Sequence, residues 1–255
     1  MCFYLLQEAR MSSNRLKMVF LHTWYHFLHS TETWVDVFWS PIIQIWVYVL
    51  IALSFAQPGD ERGLYIMVGM IFWNVIWVGE YAISVGALWE IWAQSFSSLF
   101  ITPLTMEEFV VGQMISGTIN SILAVAVSAL IAYLLYGFSL FSLGWMSVIY
   151  IIELLVFSWA IGVMILSLIF RFSTQVQSMS WALVFLVQPL GAVFYPVSIL
   201  PEQIRWIAYS MPVTYVFETI RGQMTNHLID WKALGVAAAL DVIWFVVGWL
   251  IFQAT

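Results

Sequence analysis

Six stretches of this chain, residues 34–56, 64–86, 109–136, 143–170, 177–195 and 233–252, are almost wholly apolar, and each is close to 20 residues or longer. A helix rises about 1.5 Å per residue, so about 20 apolar residues match the ~30 Å hydrocarbon core of a bilayer. Strands of a lipid-facing barrel alternate in character, and these runs do not. The expected fold is therefore an all-α membrane protein with six transmembrane helices. Composition points the same way: 63% of residues are hydrophobic and 9% charged, against about 25% charged in an average soluble domain.

The same composition removes several functions. A net charge of −6 argues against nucleic acid as a partner, which needs clustered Lys and Arg. One cysteine, Cys2, excludes an internal disulfide framework. Residues 1–17 lack the small-residue cleavage site of a secretory signal peptide. A phosphate-binding loop ends in Gly-Lys-Ser/Thr, and the two lysines, Lys17 and Lys232, follow Leu16 and Trp231. No nucleotide cofactor is expected on this chain. His22, His26 and His29 have a metal-like spacing, but a metal centre needs further ligands, and the remaining His227 is expected on the other side of the membrane. The histidines are better explained as a polar stripe on an interfacial helix.

Residues 1–33 are read as a cytoplasmic N-terminus with an interfacial helix, and 34–255 as the six-span unit. Six spans place both termini on one side, and Arg10, Arg15 and Lys17 before the first span favour the cytoplasm. Residues 16–38 carry Phe20, Trp24, Phe27, Trp34 and Phe38 at helical spacing, the pattern of an interfacial amphipathic helix running into the first span. A second amphipathic segment covers 87–101: Leu88, Trp92, Phe96 and Phe100 share a face, and Glu90 stands apart from it. Pro103 stops that helix, and Thr105-Met-Glu-Glu108 has the form of a capping box that starts the next. Within the third span, Gly112, Ser116, Asn120, Ala124, Ser128 and Ala132 recur every four residues, a stripe that lets another helix approach closely.

The stretch 193–222 breaks the apolar pattern with Pro196, Pro201 and Pro212. Leu200, Ile204, Ile207, Ala208 and Met211 make one helical face, and Val213, Val216, Phe217 and Ile220 another. Glu218 and Arg221 stand at i,i+3 spacing, and Gly222 is the expected C-cap. Two short helices dipping into the membrane fit this better than a plain loop, which has no use for two apolar stripes. Glu80, Glu153 and Asp241 fall inside spans, where an acid is by default a functional hypothesis. Glu80 fits a position near the interface, and Glu153 and Asp241 fit a pathway lining. A proton-coupled secondary transporter would also use such acids, but it leaves the segment 87–101 unexplained.

Taken in order, "HTWYHFLHSTETWVDVFWSP" (22–41), "LFITPLTMEEFVVGQM" (99–114) and "VFYPVSILPEQIRWIAYSMPVTYVFETIRG" (193–222) resemble the membrane subunit of ABC exporters of the ABC-2 type, the type V fold. The resemblance covers nearly the whole chain. It implies a permease in the cell membrane that moves a hydrophobic or amphipathic substrate (drug, lipid or lipid-linked glycan) outward. It also implies a second copy or a homologous permease as partner, and a separate ABC ATPase subunit that holds ATP and Mg. Leu88, Glu90, Trp92, Phe96, Phe100 and Pro103 would then belong to the coupling helix seated on the ATPase. Pro196, Pro201, Pro212, Tyr215, Glu218 and Arg221 would belong to the re-entrant gate.

Overall fold

The computed structural model describes residues 13–55, 62–95, 101 and 104–255. Regular structure among these residues is entirely helical. In chain order the α-helices are α1 Ser13–His29, α2 Thr31–Trp34, α3 Ser40–Phe55, α4 Arg62–Trp92, α5 Met106–Tyr136, α6 Met146–Phe172, α7 Met179–Leu190, α8 Glu202–Tyr209, α9 Pro212–Asn226 and α10 Trp231–Ala254. A π turn, Val35–Trp39, joins α2 to α3.

Four segments are long and apolar enough to cross a membrane: Gly63–Trp92, Met106–Tyr136, Met146–Val176 and Trp231–Ala254. Two further apolar helical segments are shorter, Val35–Ile51 and Met179–Leu190. The first lies inside a helical path from Thr31 to Phe55. Its π turn falls immediately before Pro41, which has no N–H to donate, and Ser40 instead donates to Val35 five residues back. The second, α7, has 12 residues and reaches only about 18 Å, less than the expected stretch 177–195. Pro189 lies in its last turn, and Ala192 then takes a left-handed φ of 53°.

The centre of the bundle is α4, which packs against α3, α5 and α6. A helix apolar on all sides belongs in a core, and Met70, Ile71, Phe72, Trp73, Val75 and Ile76 are all buried. Polar groups inside it find partners across helices: Asn74 donates to Ser128 Oγ at 3.1 Å, and Ser121 donates to the Val75 carbonyl at 3.0 Å. Small residues set the spacing. A Cβ on Gly117 of α5 would stand 2.7 Å from the Gly79 carbonyl of α4. The four-residue stripe of α5 is divided between two neighbours: Gly112 lies against Val19 of α1, whereas Ser128 meets α4.

Two sequence expectations are corrected. Residues 87–92 do not begin a separate helix along the membrane; they are the last turns of α4. Nothing between Gly86 and Trp92 breaks a helix, and Ala87 and Leu88 are buried within the bundle. The helix ends instead at Gln94, whose φ is 55°. There Ser95 N–H donates to Glu90 and Gln94 N–H to Ile91, a Schellman closure. Gly222 likewise does not cap α9. The helix runs to Asn226, and His227 takes the left-handed position. The reason is tertiary: Gln223 accepts from Tyr150 Oη at 2.6 Å and donates to the Leu143 carbonyl at 3.0 Å, holding the chain helical past the glycine.

Candidate functional site

The broken segment lies at the Arg62 end of α4, where Tyr65 Oη meets Thr225 Oγ1 at 3.0 Å. Pro201 precedes α8, and Pro212 opens α9 at a position where a missing N–H is harmless. The apolar stripe of α9 is buried, with Val213, Val216, Phe217 and Ile220 all at 2% exposure or less. Leu200 just before α8 and Ala208 on it are buried, and Trp206 is exposed. Irregular backbone inside a membrane protein needs protein partners, and here side chains supply them. Thr214 Oγ1 donates to the Ala208 carbonyl, Tyr215 Oη to Tyr209 and Trp244 Nε1 to Ser210. These three bonds hold the α8–α9 corner.

The Glu218–Arg221 pair forms as its spacing allows, at 3.1 Å. Both residues also reach away from their own helix. Glu218 Oε1 accepts from the Val197 N–H at 2.7 Å, and Arg221 donates to the carbonyls of Ala192 and Val193 at 2.9 and 3.3 Å. The strained turn at Ala192 and the Pro196 segment are thus strapped to α9 by one ion pair. Burial pushes the Arg221 guanidinium below its ordinary pKa, while Glu218 beside it acts in the opposite direction. Arg205 straps the same segment from α8, donating to Leu200 and Ser198. Pro196 and Pro201 are exposed, Pro212 is buried and Tyr215 is half-buried.

At the other end of α4, helix α1 is tied to two places. Arg15 Nε lies 3.1 Å from Glu108 Oε1 at the start of α5. His22 Nδ1 lies 3.6 Å from Glu90 Oε1 near the end of α4, and Ser95 Oγ donates to the same carboxylate. Glu108 is wholly buried and also completes the capping box, accepting from Thr105 N–H at 3.1 Å while its own N–H donates to Thr105 Oγ1 at 3.2 Å. So α1 grips both flanks of the segment 93–105. Leu88 is buried beneath this point and Trp92 is exposed. Phe96, Phe100 and Pro103 lie outside the described residues. Sequence reasoning found Glu108 through its capping box but not its bond to Arg15, because no local pattern links residues 93 positions apart.

The intramembrane acids divide. Asp241 faces Glu153 across the contact between α10 and α6, and neither of its carboxylate oxygens has a hydrogen-bond partner among the described residues. Glu80 is completely buried within the bundle, beside Ser84.

These features describe a multi-pass helical membrane protein with long spans around one central helix, a strapped helix break at one end and a tethered N-terminal helix at the other. A family model for the ABC-2 type transporter matches residues 18–225, and the chain belongs to that family. The matched region is a transporter permease domain, not a catalytic one. No curated protein matches the chain.

Proposed function

We propose that this chain is the membrane subunit of an ATP-driven exporter. It has six spans, counting the two shorter apolar segments, and sits in the cell membrane with both termini in the cytoplasm. It works as a pair, with a second copy or a homologous permease, and each permease seats one ATPase subunit that binds ATP and Mg. The cargo is hydrophobic or amphipathic: a drug, a lipid or a lipid-linked glycan.

The observation that supports this reading best is the grip of α1 on both flanks of the segment 93–105, through Glu90 and Glu108. A loop with no task has no need of two anchors, one of them a buried charge. A segment that receives force from a partner does need them, because a slack connection transmits nothing to the spans. In this reading Phe96, Phe100 and Pro103 form the seat, with Trp92 and Glu90 at its edge. Leu88, being buried, anchors the seat rather than touching the partner. The segment with Pro196, Pro201, Pro212 and Tyr215, strapped by Glu218 and Arg221, closes the outer end, and Glu153 and Asp241 line the pathway.

The test is co-expression with an ABC ATPase subunit of the same source, followed by purification on a tag carried by the permease. A four-chain assembly that hydrolyses ATP is expected, with no hydrolysis by the permease alone. Hydrolysis by the lone chain, or an ATPase that never co-purifies, overturns the reading.

A further inference from the structure

Eight serines are buried among the described residues. Six of them use their hydroxyls. Ser116, Ser147, Ser158 and Ser167 donate to carbonyls three or four residues back, Ser121 donates to Val75, and Ser128 accepts from Asn74. The hydroxyls of Ser84 on α4 and Ser180 on α7 have no partner. Nor has either carboxylate oxygen of the completely buried Glu80. Ser84 stands beside that carboxylate, one helical turn on, without reaching hydrogen-bond geometry. A buried polar atom without a partner calls for an explanation, and here there are four.

The fold brings them to one level. Trp73, Trp77, Glu80 and Ser84 follow one another at spacings of four, three and four, so they share a face of α4. That face looks at α7, because Trp77 packs on Phe185 at 4.9 Å between ring centroids. The two helices run in opposite directions and in step. Gly69 lies against the Val193 carbonyl, and eight residues further along α4, Trp77 meets the residue eight positions before Val193. The same step sets Ser180 level with Ala82, midway between Glu80 and Ser84. Ser180 is also on the buried face of α7, one turn before Val184.

A carboxylate taken out of water needs a counter-charge. Helices α3, α5, α6 and α7 all pack on α4, and the only Lys, Arg or His on them is Arg171 of α6. Ile83 meets Gly162, so Arg171 lies nine residues further along α6, a rise of about 13 Å. The protein therefore supplies no cation at this level from those helices. The free donors are all oxygens, the ligands of hard cations. A single carboxylate balances a single positive charge, whereas magnesium or calcium would leave one uncompensated.

We propose that Glu80, Ser84 and Ser180 form a buried site for an alkali-metal cation of sodium size, seated between α4 and α7. The ion neutralises Glu80 and ties the short helix α7 to the central one. The site does not rest on the transport reading.

The test is the thermal midpoint of the purified full chain in nanodiscs, titrated with sodium chloride against N-methylglucamine chloride at constant ionic strength. A midpoint that rises with sodium is expected, together with saturable binding of radioactive sodium. Glu80→Gln should abolish both. Ser84→Ala and Ser180→Ala should each weaken binding about tenfold, the loss of one hydroxyl to a charged partner. Ser167→Ala, whose hydroxyl is already spent on Val163, should leave it unchanged. A midpoint indifferent to sodium overturns the proposal and means that Glu80 is carried protonated. Full sodium binding in both serine variants also overturns it, and that measurement stands even where Glu80→Gln does not fold. Because the assay needs no ATPase, its failure leaves the permease reading standing, and failure of the co-expression experiment leaves the cation site standing.

Discussion

At the residue scale, Arg221 and Arg205 make an informative contrast. Both donate to backbone carbonyls of the segment before α8, but Arg221 has a side-chain exposure of 12% and Arg205 one of 35%. Removing the largely buried Arg221 takes the donor from the Ala192 and Val193 carbonyls, at the cost of unsatisfied buried polar groups, whereas exposed pairs contribute little. Arg221→Ala should therefore cost about 1–3 kcal/mol and Arg205→Ala about 1 kcal/mol or less, read as the shift of the thermal midpoint in detergent. Equal shifts would show that the strap at Ala192 is not what holds the break. Glu108 offers a second contrast. Glu108→Gln can still complete the capping box and loses only the charge toward Arg15, whereas Glu108→Ala loses both. The alanine variant should be the less stable by about 1 kcal/mol. The i,i+3 pair and the capping box were both legible in the sequence, since each is local. Their second partners, Val197 and Arg15, were not, because those contacts exist only once distant segments pack.

At the element scale, the close approach of α4 and α5 sets the bundle. Gly117→Ala places a methyl group 2.7 Å from a backbone carbonyl that has no rotamer to change. Overpacking of this kind typically costs about 1–3 kcal/mol. Gly235 on α10 has nothing within 4 Å of the same built atom, so Gly235→Ala should gain about 0.5–1 kcal/mol from helix propensity. Thermal unfolding of the two variants side by side checks this. A neutral Gly117→Ala would mean that the helices yield at the crossing. The four-residue stripe on α5 announced a close neighbour, but not that α1 would take its first turn. The end of α9 was misplaced for a related reason. Gly222 is a good stop signal, and only the bonds that Gln223 accepts from Tyr150 and donates to Leu143 carry the helix past it.

At the scale of the whole molecule, the two ends of α4 have different tasks in the proposed exporter, and each has its own test. With Cys2 replaced, a cysteine at Glu202, whose side chain is 87% exposed, should react with a membrane-impermeant thiol reagent added outside intact cells. A cysteine at the fully buried Ala208 should not. Reaction of the first only from the cytoplasmic side would invert the orientation. At the other end, Phe96→Asp should release the ATPase or uncouple it, while the spans insert normally. Full transport with that variant would remove the seat from the segment 93–105.

The sequence by itself determined the class of molecule. Apolar runs of bilayer length that do not alternate leave a chain only one way to satisfy its backbone, the helix, and Pro196, Pro201 and Pro212 mark where that pattern is broken. Stripes and caps are likewise written locally, because they depend on neighbours three or four residues apart. The tertiary structure decided what a one-dimensional pattern cannot hold: that residues 87–92 extend a span, that Asp241 faces Glu153, and that α1 binds both flanks of one segment. Each of these depends on which apolar faces meet, and in a chain that is 63% hydrophobic nearly every face is apolar. The choice among them falls to small residues and a few buried polar partners, whose fit exists only in three dimensions.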